Sequence, residues 1–70
     1  MTAGEKIRIL AKRKGKSMGD IAELTNQSRQ NLSNKMKRDN FTETDLREIA
    51  DALGLRLDIA FINPETNERI

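Results

Sequence analysis

Three stretches of the chain repeat apolar residues at helical spacing, and each follows a Ser or Thr that has an acidic residue three positions later. The three openings are Thr2, Ser17 and Thr42. This pairing is typical of a capping box, in which the two side chains satisfy the free amides at a helix start. The apolar stripes that follow are Ala3, Ile7, Leu10 and Ala11; Met18, Ile21, Ala22 and Thr25; and Leu46, Ile49, Ala50 and Leu53. The spacing therefore predicts three amphipathic helices, the first ending at about Lys14 before Gly15 and the last ending at Gly54.

A fourth stretch, from about Ser28 to Lys37, is predicted to be helical but has little apolar surface. Only Leu32 and Met36 are spaced to face a core. The opposite face carries amide, hydroxyl and ammonium groups, from Gln30, Ser33, Asn34 and Lys37. Such a face can hydrogen-bond a planar polar partner, and it is equally typical of a solvated helix surface, so periodicity leaves both interpretations open.

Near the end of the chain the apolar period changes to two. In residues 55–62 one face holds Leu55, Leu57, Ile59 and Phe61, which predicts a β-strand ended by the Asn63-Pro64 pair. A lone strand needs a partner for its backbone groups. The tail after it could fold back as a hairpin, but its one apolar residue is Ile70. We therefore expect the strand to pair with its copy in a two-fold dimer, with that apolar face as the dimer interface.

Charge is distributed unevenly along a chain whose net charge is only +2. Residues 1–38 carry ten basic and three acidic groups, a net of +7, whereas residues 39–70 carry three basic and eight acidic groups, a net of −5. This asymmetry predicts that one face of the domain meets a polyanion, although part of the basic cluster at residues 12–16 is also explained by solubility.

The composition excludes several classes of function. With no Cys and no His, the chain cannot form a disulfide scaffold, a zinc finger or a histidine-based catalytic site. The acidic residues of the last helix lie on its outward face or in its first turn, a solvated arrangement, and no glycine-rich phosphate loop occurs. We expect no enzymatic activity, no metal and no cofactor. The chain has no signal-peptide core and no apolar run of about 20 residues, so we expect a cytoplasmic protein without membrane contact.

The segment Ile21–Ser33, IAELTNQSRQNLS, resembles the helix-turn-helix of the phage repressor and Cro family (XRE-like). The matching positions are the small Ala22, the turn residue Asn26 and the apolar Leu32. The family often has Gly at the turn, and it often continues into a fifth helix where this chain has a strand signal. The resemblance covers residues 2–54. It implies a mainly α fold with a compact four-helix DNA-binding domain at 1–54, and the period-two pattern adds a dimerising strand at 55–62, followed by a tail at 63–70.

The resemblance also implies roles for individual residues. Helix 28–37 would enter the major groove of double-stranded DNA as the recognition helix. The residues implied in base reading are Arg29, Gln30, Ser33 and Asn34, and those implied in phosphate binding are Ser17, Lys35, Lys37, Arg38 and Asn40. The function implied is a homodimeric transcriptional regulator, such as a repressor. The alternative is an antitoxin-like or other interaction module that binds a protein partner through helix 43–53 and strand 55–62.

Overall fold

The computed structural model describes residues 1–70, and its regular elements are four α-helices. They are α1 (Ala3–Arg13), α2 (Met18–Leu24), α3 (Arg29–Arg38) and α4 (Glu43–Ala52). All four predicted helices are present, and the molecule is mainly helical without a sheet. With lengths of 7 to 11 residues, none of them has the length and apolar content needed to cross a bilayer.

The helix starts follow the capping pattern of the sequence. Full capping boxes open α2 and α4. In each, the hydroxyl of the N-cap residue accepts a hydrogen bond from the amide of the residue three positions later. The carboxylate of that later residue accepts a hydrogen bond from the amide of the N-cap residue. At α1 only half of the box is formed, because Thr2 Oγ1 accepts from the Glu5 amide without a return bond. A fourth cap opens α3, where Ser28 Oγ accepts from the amide of Asn31 at 3.0 Å. Ser28 has extended backbone, so it is the N-cap residue just outside α3 and not the first residue inside it.

The hydrophobic core draws on every helix. Its seven buried residues are Ile7, Ala11, Ile21, Ala22, Leu32, Ile49 and Leu53. The most completely buried large side chains are Ile21 and Leu32, and burying each contributes roughly 1.5–3 kcal/mol. Leu32 is the one buried residue of α3, as its sparse apolar pattern predicted. One anchored face therefore leaves the rest of α3 available at the surface.

The C-terminal segment differs from the predicted strand. Residues 55–61 have irregular backbone, and Ile62 forms an isolated antiparallel β-bridge with Arg69. The amides of residues 56–60 donate no hydrogen bond, and the carbonyls of residues 55–60 accept none. A strand obtains its hydrogen bonds from a neighbour, and the single chain supplies none to this segment.

The tail folds back on the chain, which was the less favoured of the two arrangements considered from the sequence. Phe61 and Ile70 exchange two backbone hydrogen bonds, of 2.7 and 2.9 Å, and the Asn63 amide donates to the Glu68 carbonyl at 2.8 Å. Between them the chain reverses, with the Asn63 side chain accepting from the amide of Glu65. Asn side chains favour such turns through local hydrogen bonds, which do not depend on how apolar the tail is.

Candidate nucleic-acid interface

The connection between α2 and α3 is four residues long and is closed by local hydrogen bonds. Thr25 Oγ1 donates to the carbonyl of Ile21 at 2.7 Å, and the Gln27 amide donates to the carbonyl of Ala22 at 2.9 Å. Asn26 adopts a left-handed φ of 57°, a conformation that Asn tolerates better than most residues. These contacts set the position of α3 against α2, with the small Ala22 fully buried.

The four predicted base-reading residues are all exposed on α3. Arg29, Gln30 and Ser33 line one cleft of about 380 Å³. The same cleft is bordered by Met18 and by the apolar residues Leu32 and Met36. Asn34 joins this group through its side chain, since Gln30 Nε2 donates to Asn34 Oδ1 at 3.3 Å. The structure thus brings all four predicted side chains onto one surface.

The predicted phosphate-binding residues separate into two groups. Lys37 and Arg38, in the last turn of α3, and Asn40, just beyond it, are exposed. Lys35 is instead paired with α4: its Nζ lies 2.8 Å from Asp45 Oδ1, and the two side chains are only 25% and 17% exposed. The hydroxyl of Ser17 is engaged in the capping box of α2. Three of the five residues are therefore free, and two already have a partner within the domain.

Two carboxylates beside this surface are held in the charged form. Hydrogen bonds from the backbone and side chain of Ser17 lower the pKa of Asp20, and the nearby Lys16 and Arg29 cations add to the effect. The hydrogen bond from Lys35 and that from the Thr42 amide lower the pKa of Asp45. Asp20 thus places a negative charge at the start of α2, where a phosphate contact by Ser17 would have to form.

Two residues that were not predicted from the sequence also contribute to this surface. Arg8 of α1 borders the same cleft as Arg29 and Gln30, which adds a second cation there. Gly19 of α2 lies directly against the side chain of Arg29. Arg8 stands next to a core position in the sequence, but its place beside α3 depends on how α1 packs. Periodicity along one helix carries no information about that packing.

The residues of the predicted dimer interface are exposed to different degrees. Leu55 and Leu57 are half-buried and line an apolar groove of about 420 Å³ between α1, α4 and residues 55–60. Farther along, Ile59 is 48% exposed and Phe61 is 83% exposed. Ile59 still lines the same groove, so the exposure of the alternating apolar residues increases stepwise towards Phe61.

Chemically, the α2–α3 surface offers cations, amides and a hydroxyl, which are groups that can bind anions and base edges. No protein-family model, curated protein or solved structure matches this chain.

Proposed function

We propose that this protein is a sequence-specific DNA-binding transcriptional regulator of the phage repressor and Cro type, acting in the cytoplasm, with α3 as its recognition helix. One observation supports the proposal most strongly. Four side chains of the types that hydrogen-bond base edges are exposed on one helix, and the buried Leu32 anchors the opposite face of that helix. The major groove of B-DNA, about 12 Å wide, admits a helix of this kind.

Each exposed side chain suits a particular base edge. The guanidinium of Arg29 matches the O6 and N7 acceptors of guanine, and the amides of Gln30 and Asn34 match the N6 and N7 groups of adenine. The hydrogen bond between Gln30 and Asn34 orders these amides before DNA arrives, which lowers the entropy cost of binding. Lys37 and Arg38 then contact phosphates, which hold α3 in register without reading sequence.

The experiment is a selection of DNA sites from a randomised duplex pool, followed by salt-titrated binding to the selected site and to random duplex. We expect Arg29→Ala to weaken specific binding by about 5- to 150-fold, with random duplex much less affected. The matched control is Lys12→Ala, which removes one exposed cation from α1. It should leave the base preference unchanged. Failure of the wild-type protein to retain any duplex at low salt would falsify the proposal.

We further propose that the regulator is a homodimer in which residues 55–59 of two copies pair as an antiparallel ribbon. The free amides of residues 56–60 and the free carbonyls of residues 55–60 are the groups that such a ribbon would use. Charge selects the register: with Leu57 opposite Leu57 of the second copy, Arg56 of each chain faces Asp58 of the other. Sliding one strand by two residues, which moves the two-fold axis from Leu57 to Asp58, would place Asp58 opposite Asp58, and like charges directly opposite each other are destabilising.

The competing candidate is a protein partner that docks on α4 and residues 55–62. The apolar groove of about 420 Å³ beside α4 is the observation that favours it. Sedimentation of the purified chain separates the two candidates, because a homodimer forms without any other protein. A chain that stays monomeric at high concentration supports the protein partner.

A further inference from the structure

The side chain of Arg29 lies across the backbone of Gly19. A Cβ atom built on Gly19 would stand 3.1 Å from Arg29 Nε, 3.3 Å from Cζ and 3.5 Å from Cδ. The first two distances are shorter than ordinary van der Waals contacts between carbon and its neighbours. A side chain at position 19 would therefore require the arginine side chain to move by a few tenths of an ångström.

Backbone conformation and core packing do not account for glycine at this position. Gly15 and Gly54 each have a positive φ, and Gly4 adjoins Asp39 and Met36. Gly19 has neither feature: it lies in the first turn of α2 with helical backbone. Glycine weakens a helix relative to alanine, so its presence there costs helix stability. The absence of a side chain at position 19 leaves room for the contact with Arg29.

The contact braces Arg29 without using any of its hydrogen-bond donors. Arg29 makes no ion pair and no side-chain hydrogen bond in the domain. The nearby carboxylate of Asp20 is engaged by Ser17, so it attracts the guanidinium only at longer range. None of the five N–H groups of the guanidinium thus has a hydrogen-bond partner within the domain.

We propose that Gly19 is a positioning residue for base recognition. Because it lacks a side chain, the Arg29 side chain can lie against the backbone of α2, and this contact sets the direction in which the guanidinium extends towards its base pair. The inference rests on the proposed function, since it concerns the direction in which a base-reading side chain extends. A long, flexible side chain that is braced before binding loses less freedom on binding and tolerates fewer geometries of its target.

The substitution Gly19→Ala separates positioning from a structural role, because the two give opposite results. A methyl group would displace the arginine side chain, while the alanine itself favours the helix. We expect the melting temperature to stay the same or rise, and the preference for guanine at the Arg29 base pair to fall about two- to tenfold. A purely structural glycine would instead lower the melting temperature and leave the base preference alone.

The experiment is a site selection from randomised duplex with four proteins: wild type, Gly19→Ala, Arg29→Ala and the double variant. The preference for guanine should weaken at the same base pair in Gly19→Ala and in Arg29→Ala. In the double variant, Gly19→Ala should have no further effect, because Arg29 is already removed. Thr44→Ala, at an exposed position of α4, is the control for a general change in helix propensity. A parallel NMR measurement without DNA should show a less ordered Arg29 Nε–H group in Gly19→Ala.

The outcomes distinguish the inference from the proposed function. If the wild-type protein selects no consensus, the proposed function fails, and base positioning fails with it. If the wild type selects a consensus that Gly19→Ala reproduces unchanged, the inference is wrong and the function stands. An effect of Gly19→Ala that persists in the Arg29→Ala background also overturns the inference, because it would not act through Arg29.

Discussion

The amide of Gly4 donates a hydrogen bond of 2.8 Å to Oδ1 of Asp39, which lies 35 residues farther along the chain. The bond joins the first turn of α1 to the residue that ends α3. Asp39 reaches it from a left-handed backbone, with φ of 50°, and its negative charge lies at the positive end of the α1 dipole. A side chain at Gly4 would come within 3.3 Å of the same oxygen, so a small residue is needed there. The end of the proposed recognition helix is thus held by the start of the chain.

This bond predicts an order of stability among substitutions of Asp39. Asp39→Ala loses the acceptor and keeps an unfavourable left-handed residue, so it should lower the free energy of unfolding by about 1–3 kcal/mol. Asp39→Asn retains an acceptor and tolerates the backbone, so it should cost about 1 kcal/mol or less. Urea denaturation of both variants tests the order. Equal losses for the two would show that the hydrogen bond to Gly4 contributes nothing.

The lowered pKa of Asp45 predicts a loss of stability in acid. Because this pKa is lower in the folded than in the unfolded chain, the contribution is complete above the unfolded value of about 3.9 and is lost as the pH falls through the folded pKa. Asp45→Asn should be less stable than the wild type at pH 7 and should lose less stability on acidification. Thermal melts between pH 7 and pH 2 measure both effects. Parallel curves for the two proteins would contradict the assignment to Asp45.

The pairing of Lys35 predicts that neighbouring lysines of α3 act differently on DNA. Lys37→Met should reduce the slope of log binding constant against log salt by about 0.9, the value for one lost phosphate contact. Lys35→Met should leave the slope unchanged and cost about 1 kcal/mol of folding stability, because its partner is Asp45. Each variant is the control for the other. A reduced slope for Lys35→Met would mean that Lys35 leaves Asp45 to reach a phosphate.

The proposed ribbon predicts a charge swap that can be rescued. Asp58→Arg places Arg opposite Arg at both symmetry-related positions, and we expect the dimer to weaken about tenfold, since each cross-strand pair is worth roughly 0.2–1 kcal/mol. Adding Arg56→Asp restores opposite charges and should restore the dimer. Glu65→Arg makes the same change of charge outside the ribbon and should have little effect. Analytical ultracentrifugation measures all four proteins, and a double variant as weak as Asp58→Arg would exclude this register.

Much of this structure could be predicted from local sequence patterns alone. The four helices and the buried Leu32 follow from 3.6-residue periodicity, and the starts of α2 and α4 follow from their capping boxes; both are properties of a few consecutive residues. Exposure of the four α3 side chains followed for the same reason, since an apolar stripe on one side of a helix assigns the rest to the surface.

Local patterns were therefore sufficient to identify the helical segments and the side chains of α3 that face outward. Four other features depend on tertiary packing. Lys35 pairs with Asp45, and Arg8 borders the α3 cleft. Asp39 accepts a hydrogen bond from the Gly4 amide, and the Arg29 side chain lies against Gly19. The folded chain also supplies no hydrogen bond to the amides of residues 56–60 or to the carbonyls of residues 55–60. The physical reason is the range of the forces: capping and periodicity act within one or two turns, whereas these contacts need two separate segments to be packed together first.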